Sequence, residues 1–145
     1  MKHVVRLLAL GAILAGAGAS AQTAAFDMKG TWKGTGEAIV DGHGTHHPAG
    51  STAKPAGPYR LRELHFTYKI DGQEGKRFWG TVSSEHEANQ RMIGSLSADG
   101  KWIYIAGKDG ILDGTVVDSD TIQMCYRQVS VAVAIVACNE MKRQK

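Results

Sequence analysis

Three groups of residues in this chain have the side chains and spacing to do chemistry. The first is a set of histidines and acids. His43, His46 and His47 lie in the 18-residue stretch Asp41 to Pro58 (DGHGTHHPAGSTAKPAGP), and Glu85, His86 and Glu87 lie together further on. Imidazoles and carboxylates from two loops suit zinc or copper, so His43, His46, His47 and His86 form a candidate metal set. No fixed-spacing ligand motif accompanies them, and ordering a Gly-rich stretch costs about 1 kcal/mol or more per fixed residue. The competing readings are a polar lid whose histidines face water, or a pH sensor.

The second group is aromatic. Tyr68, Trp79, Trp102 and Tyr104 are candidate walls for a small apolar or aromatic ligand, with His86 and Arg91 as polar contacts. Phe66, Phe78 and Tyr126 are further interior candidates, and all of these could equally be core. Gly34, Gly36, Gly80, Gly94 and Gly114 would leave space inside if they face inward. The third group, Arg60, Arg62, Glu63, His65 and Arg91, offers acid–base chemistry of a cyclase or isomerase type if buried. Alternation turns Glu63 and His65 away from Phe66 and Tyr68, and no nucleophile elbow, phosphate loop or redox motif is present.

The elements that must position these groups are strands. Thr31 to Val40, Leu61 to Ile70, Arg77 to Ser83, Arg91 to Leu96, Trp102 to Ala106, Ile111 to Val117, Thr121 to Tyr126 and about Val131 to Cys138 show alternation or β-branched and aromatic enrichment. Tight turns at 71–75, 98–100, 108–110 and 118–120 carry Asp and Gly, which tolerate positive φ. No amphipathic helix follows residue 21. Eight strands in meander order predict an all-β fold, an antiparallel up-and-down barrel that hides its own edges; a two-sheet sandwich is the alternative.

In such a barrel alternate connections share a rim. Residues 41–58, 84–90, 107–110 and 127–130 fall on one end, and the tight turns at 71–75, 98–100 and 118–120 fall on the other. A loop of 18 residues in a small domain points to binding, covering or regulation, so the first rim is the expected mouth.

Gly30-Thr31-Trp32 at the start of the first strand resembles the G-x-W signature of the calycins, the lipocalin and avidin type of barrel. The resemblance also includes the long first loop, placed like a lipocalin lid. It implies an eight-stranded barrel plugged by the Trp and a small-ligand function. The C-terminal helix usual in lipocalins has no counterpart here.

The N-terminus reads as an export signal. Lys2, His3 and Arg6 precede the apolar run from Leu7 to Ala19, and Ala19-Ser20-Ala21 has the form cleaved by signal peptidase. The apolar run is too short for a membrane span. Residues 1–21 are thus the expected leader, and 22–145 a single barrel domain, periplasmic or secreted. Loss of Lys2 and Arg6 from the 17 Lys and Arg, against 14 Asp and Glu, leaves a net charge near +1. With no basic stripe interleaved with aromatics, nucleic acid is not an expected partner.

Cys125 and Cys138, an even pair in an exported chain, are expected to form a disulfide. They lie symmetrically about Val131 and Ala132, so a hairpin turning there sets them opposite each other. The strand Val131 to Ala137 (VAVAIVA) is apolar on both faces and suggests a cover, either a second subunit in a homodimer or the segment around Phe26 and Met28.

The leading function is an exported barrel binding a small apolar or aromatic ligand beneath the 41–58 loop. The alternatives are a barrel enzyme, a periplasmic inhibitor or adaptor acting on a protein partner, or a metal-binding protein using zinc or copper at the His-rich rim.

Overall fold

Residues 30 to 42, Ile39 apart, alternate a large or small apolar residue with a polar one, the period of a strand with one wet face. In the computed structural model, which describes residues 25–43, 54–56, 58–85 and 87–145, this stretch is β1 (Gly30–Gly42). The others are β2 (Lys54–Ala56), β3 (Tyr59–Glu74), β4 (Arg77–Ser83), β5 (Gln90–Leu96), β6 (Trp102–Gly107), β7 (Ile111–Asp118), β8 (Thr121–Val129) and β9 (Val133–Arg143). Apart from the three-residue β2, each pairs antiparallel with its neighbours, and β1 pairs with both β9 and β3. This double pairing closes an eight-stranded up-and-down barrel and removes the sandwich alternative. Among the described residues no helix is long and apolar enough to cross a membrane.

One end is plugged. Trp32 is fully buried and its indole N–H donates to the Met28 carbonyl at 2.9 Å. The Arg143 guanidinium sits 4.2 Å from the centre of the Trp32 ring. It also donates to the carbonyl oxygens of Lys29, Asp27 and Ser119 and pairs with Asp120 at 3.2 Å. The segment Lys142-Arg143 therefore continues β9, and the last strand runs from 133 to 143, beyond the expected limit at Cys138. Phe26 and Met28 also belong to this plug. The Met28 amide donates to Gln73 Oε1 at 2.7 Å and Gln73 Nε2 donates to the Phe26 carbonyl at 2.8 Å. They do not cover the outer face of β9: Met28 is buried in the core with Trp32, and Phe26 packs against the same cluster.

Above the plug the lower barrel is solid. Tyr68, Phe78, Ile103, Met124 and Met141 are all buried. The inward glycines do make room, but neighbouring side chains fill it. A methyl at Gly94 would stand 2.3 Å from Phe78 Cζ, at Gly34 2.7 Å from Met141 Sδ, and at Gly114 2.2 Å from Met124 Sδ. Each is far inside van der Waals contact, so the expected interior space is occupied by the barrel's own rings and thioethers.

The disulfide forms as expected. Cys125 and Cys138 are directly opposed on β8 and β9, 4.1 Å apart at Cα. The hairpin between them has no Gly or Asn, and Ser130 takes that role: its Oγ accepts from the amides of Ala132 and Val133, and its own amide donates to the Val133 carbonyl.

Candidate functional site

Two connections at the mouth are ordered by local hydrogen bonds. After β4, the Ser84 amide donates to the Glu87 carbonyl at 2.8 Å and the Asn89 amide donates to Ser83 Oγ at 2.9 Å. Asn89 adopts a left-handed φ of 55°, a conformation Asn tolerates better than most residues. Between β6 and β7 the Gly107 amide donates to the Gly110 carbonyl at 3.0 Å, a two-residue turn that presents Asp109. These turns place Glu87 and Asp109 on the rim the sequence assigns to function.

The wall itself divides beside them. β4 stops pairing with β3 at Ser83 and Thr67, and β2 takes over only at Leu61. Since β1 occupies the other side of β3 from Arg60 to Ile70, β2 stands on the side that β4 leaves. In the fork between them the His65 amide donates to Glu85 Oε1 at 2.9 Å, and His65 Nδ1 lies 2.8 Å from Thr35 Oγ1.

Inside this end lies a cavity of about 70 Å³. Its apolar wall is Leu64, Phe66, Val82, Met92, Leu112 and Ile135, and Tyr68 forms the floor. Its polar lining comes from Ser83, Ser84, Glu87, Gln90, Asp109, Tyr126 and Gln128. Gln90 Nε2 donates to Asp109 Oδ2 at 3.0 Å, and the Tyr126 hydroxyl donates to Gln128 Oε1 at 3.0 Å. The Tyr126 ring lies over Gly110, where a methyl would meet Cε2 at 2.4 Å, so this glycine is what lets the phenol lean across the opening. Burial, followed by the Asp109 and Glu87 carboxylates, pushes the Tyr126 pKa up to about 12. Burial also raises the Tyr68 pKa, against a hydrogen bond from the Asn139 side chain. Both phenols are neutral donors at physiological pH, and neither is poised as a general base.

The expected site residues separate into three groups. Tyr68 is interior and forms the cavity floor. Trp79, Trp102, Tyr104 and Arg91 are on the outer face, about half exposed in the three aromatics, so the inward orientation expected of them is corrected. The cause is register: Phe78, Met92, Ile103 and Ile105 take the inward positions, and the period of two sends their neighbours out. Of the acid–base group, Arg62 is buried within the barrel, while Glu63 and His65 are exposed as alternation requires.

His43 is exposed at the end of β1, its amide donating to the Ala132 carbonyl at 3.0 Å. His46, His47, His86 and residues 1–21, expected to be a leader, lie outside the described residues. Among those described, no three His, Cys, Asp or Glu side chains are grouped to hold a metal.

The sequence places Glu87 at the mouth among the histidines and acids but does not single out Gln90, Asp109 or Gln128, and offers Tyr126 only as an interior aromatic. The signal for them was topological: Glu87, Gln90, Asp109 and Gln128 fall in the connections assigned to the mouth, and Tyr126 directly precedes one of them. Comparison with protein-family models, with curated proteins and with solved structures returns no match to this chain. Fold and site together define a class, the small closed eight-stranded β-barrel with one plugged end and a cavity at the opposite rim.

Proposed function

We propose that the protein is an exported binding barrel that holds a small apolar or aromatic ligand in the rim cavity. The observation that carries this reading is the cavity itself. An apolar cup with a few polar groups in its lining is the usual form of a small-molecule site. Its size limits the ligand. About 70 Å³ exceeds what one water needs and falls short of the roughly 150 Å³ that admits benzene, so the ligand seats one end in the cup and extends through the mouth.

Export is supported by the Ala19-Ser20-Ala21 site and by the disulfide, which persists in an oxidising compartment. A lipocalin- or avidin-type relationship is supported by Gly30-Thr31-Trp32 and by the plugged eight-stranded barrel.

The test is native mass spectrometry of protein purified from its own host, looking for a co-purifying small molecule, paired with Val82→Phe. A ring at Val82 should occupy the cup, abolish ligand retention and leave thermal stability nearly unchanged. Retention of the ligand by folded Val82→Phe protein refutes the site.

A second reading is self-association. Trp79, Ile93, Ala106 and Ile111 stand in register across β4 to β7, making an exposed apolar row on the outer wall with Tyr104 beside it. The other candidate face for a homodimer is the 131–137 segment, where Val131, Ala132, Ala134 and Val136 are exposed. Sedimentation of wild type against Ile93→Lys decides it: a concentration-dependent dimer lost in the variant supports the reading, and a monomer throughout refutes it.

A further inference from the structure

We propose that the rim cavity selects a ligand whose polar end is a hydroxyl group, a small phenol or alcohol, over a hydrocarbon or ether of similar shape. The inference rests on the reading of the cavity as a ligand site and names the chemistry of what it takes.

The inward positions of two strands change character towards the mouth. On β8 they are Ile122, Met124, Tyr126 and Gln128, and on β5 they are Leu96, Gly94, Met92 and Gln90. Each set runs from apolar in the core to polar at the open end. An inward polar side chain gives up water, so its polar atoms need other partners.

The protein meets part of that need. The Tyr126 hydroxyl donates to Gln128 Oε1 at 3.0 Å, and Gln90 Nε2 donates to Asp109 Oδ2 at 3.0 Å. Among the described residues these are the side-chain hydrogen bonds of Tyr126, Gln128 and Gln90, all three of which line the cavity. Capacity of both kinds is left over: N–H donors on Gln128, and acceptor oxygens on Tyr126 and Gln90. A hydroxyl answers both, accepting from Gln128 and donating to the Tyr126 oxygen. An ether only accepts and a hydrocarbon does neither, so each strips water from polar atoms without replacing it. Rotating the Gln128 amide preserves the requirement. With Nε2 donating to the phenol oxygen, Oε1 becomes the free acceptor and the Tyr126 O–H the free donor.

One turn gathers these groups. Between Gly107 and Gly110, Asp109 holds Gln90 and Gly110 makes room for the Tyr126 ring, where a methyl would meet Cε2 at 2.4 Å. Burial, followed by the Asp109 and Glu87 carboxylates, pushes the Tyr126 pKa up to about 12, so the phenol keeps its proton at neutral pH. Gln128 and Gln90 stand at the open ends of their strands, and the apolar wall descends to Tyr68. The ligand's hydroxyl therefore faces the mouth, and its hydrocarbon end enters the cup.

Three uncharged probes built on one ring test this: phenol, anisole and toluene, titrated into the folded, disulfide-intact protein while backbone amide NMR shifts are followed. The expected result is shifts at Leu64, Met92, Leu112 and Tyr126, with phenol tighter than toluene by about tenfold and tighter than anisole by about threefold. In Tyr126→Phe/Gln128→Leu the phenol and toluene affinities should converge while toluene binding persists. Should that double variant not fold, Gln128→Leu alone frees the Tyr126 O–H to donate, and the lead of phenol over anisole should close. Equal binding of phenol and toluene by the wild type, anisole as tight as phenol, or an unchanged phenol lead in the variants overturns the hydroxyl inference and leaves the cavity reading standing. No shift at these residues with any probe overturns both.

Discussion

Gly94→Ala measures whether the lower barrel is filled or hollow. The new methyl would stand 2.3 Å from Cζ and 2.4 Å from Cε2 of Phe78, a ring that is 1% exposed and has nowhere to retreat. It would also stand 2.9 Å from the Tyr104 carbonyl oxygen, which belongs to the adjoining strand. Gly94 does not have a left-handed φ, so the substitution carries no backbone penalty and the cost is steric. Overpacking of this kind costs about 1–3 kcal/mol. With a urea m-value of about 2 kcal/mol/M the unfolding midpoint should fall by roughly 1 M with m unchanged.

The companion variant is Phe78→Leu, which shortens the ring tip and alone should cost about 1–2 kcal/mol of lost burial. In the double variant the methyl occupies what the ring has left, so the combined loss should be smaller than the sum by about 1 kcal/mol. Rescue stays partial because the Tyr104 carbonyl does not move with the ring. A Gly94→Ala protein as stable as wild type, with no coupling to Phe78→Leu, would refute the packed interior and extend the ligand's reach towards Trp32.

Arg143→Ala should cost about 2–4 kcal/mol by removing the stacking on Trp32 and leaving three carbonyl partners without their donor, seen as a lower thermal midpoint. Arg143→Lys should recover little of this, since an ammonium cannot present the same planar fork. Replacing both Cys125 and Cys138 by Ser opens a loop of 13 residues' separation and should cost about 3 kcal/mol in denaturant unfolding, with the barrel still forming. Alkaline titration should destabilise the fold. The unfolded chain ionises its tyrosines near pH 10 and the native state holds Tyr126 neutral to about 12, so this contribution is complete below pH 10 and lost as pH rises through 12. Tyr126→Phe should flatten part of that slope, and a stability curve level from pH 10 to 12 would contradict the burial of this phenol.

What the sequence determined by itself is the part of the molecule where one face of a strand is clearly apolar. In β3 the alternation of Leu64, Phe66, Tyr68 and Ile70 with Glu63, His65, Thr67 and Lys69 leaves one choice of inward face, and the structure adopts it. The pairing of Cys125 with Cys138 followed from symmetry about residues 131–132, and the division into a tight end and a loop-rich end followed from turn lengths alone.

The tertiary structure decided the rest wherever both faces are apolar. Phe78 and Trp79, Met92 and Ile93, and Ile103 and Tyr104 are adjacent hydrophobes, so a period of two favours neither face. Barrel closure then selects by fit. Phe78 can enter because Gly94 lies opposite it, and once it does Trp79 must stand outside. The same long-range packing decides that the glycines' space is occupied, that Arg143 seals the lower end, and that Glu87 and Asp109 meet at one opening. Such facts depend on which side chains become neighbours across strands far apart in sequence, and local periodicity carries no information about them.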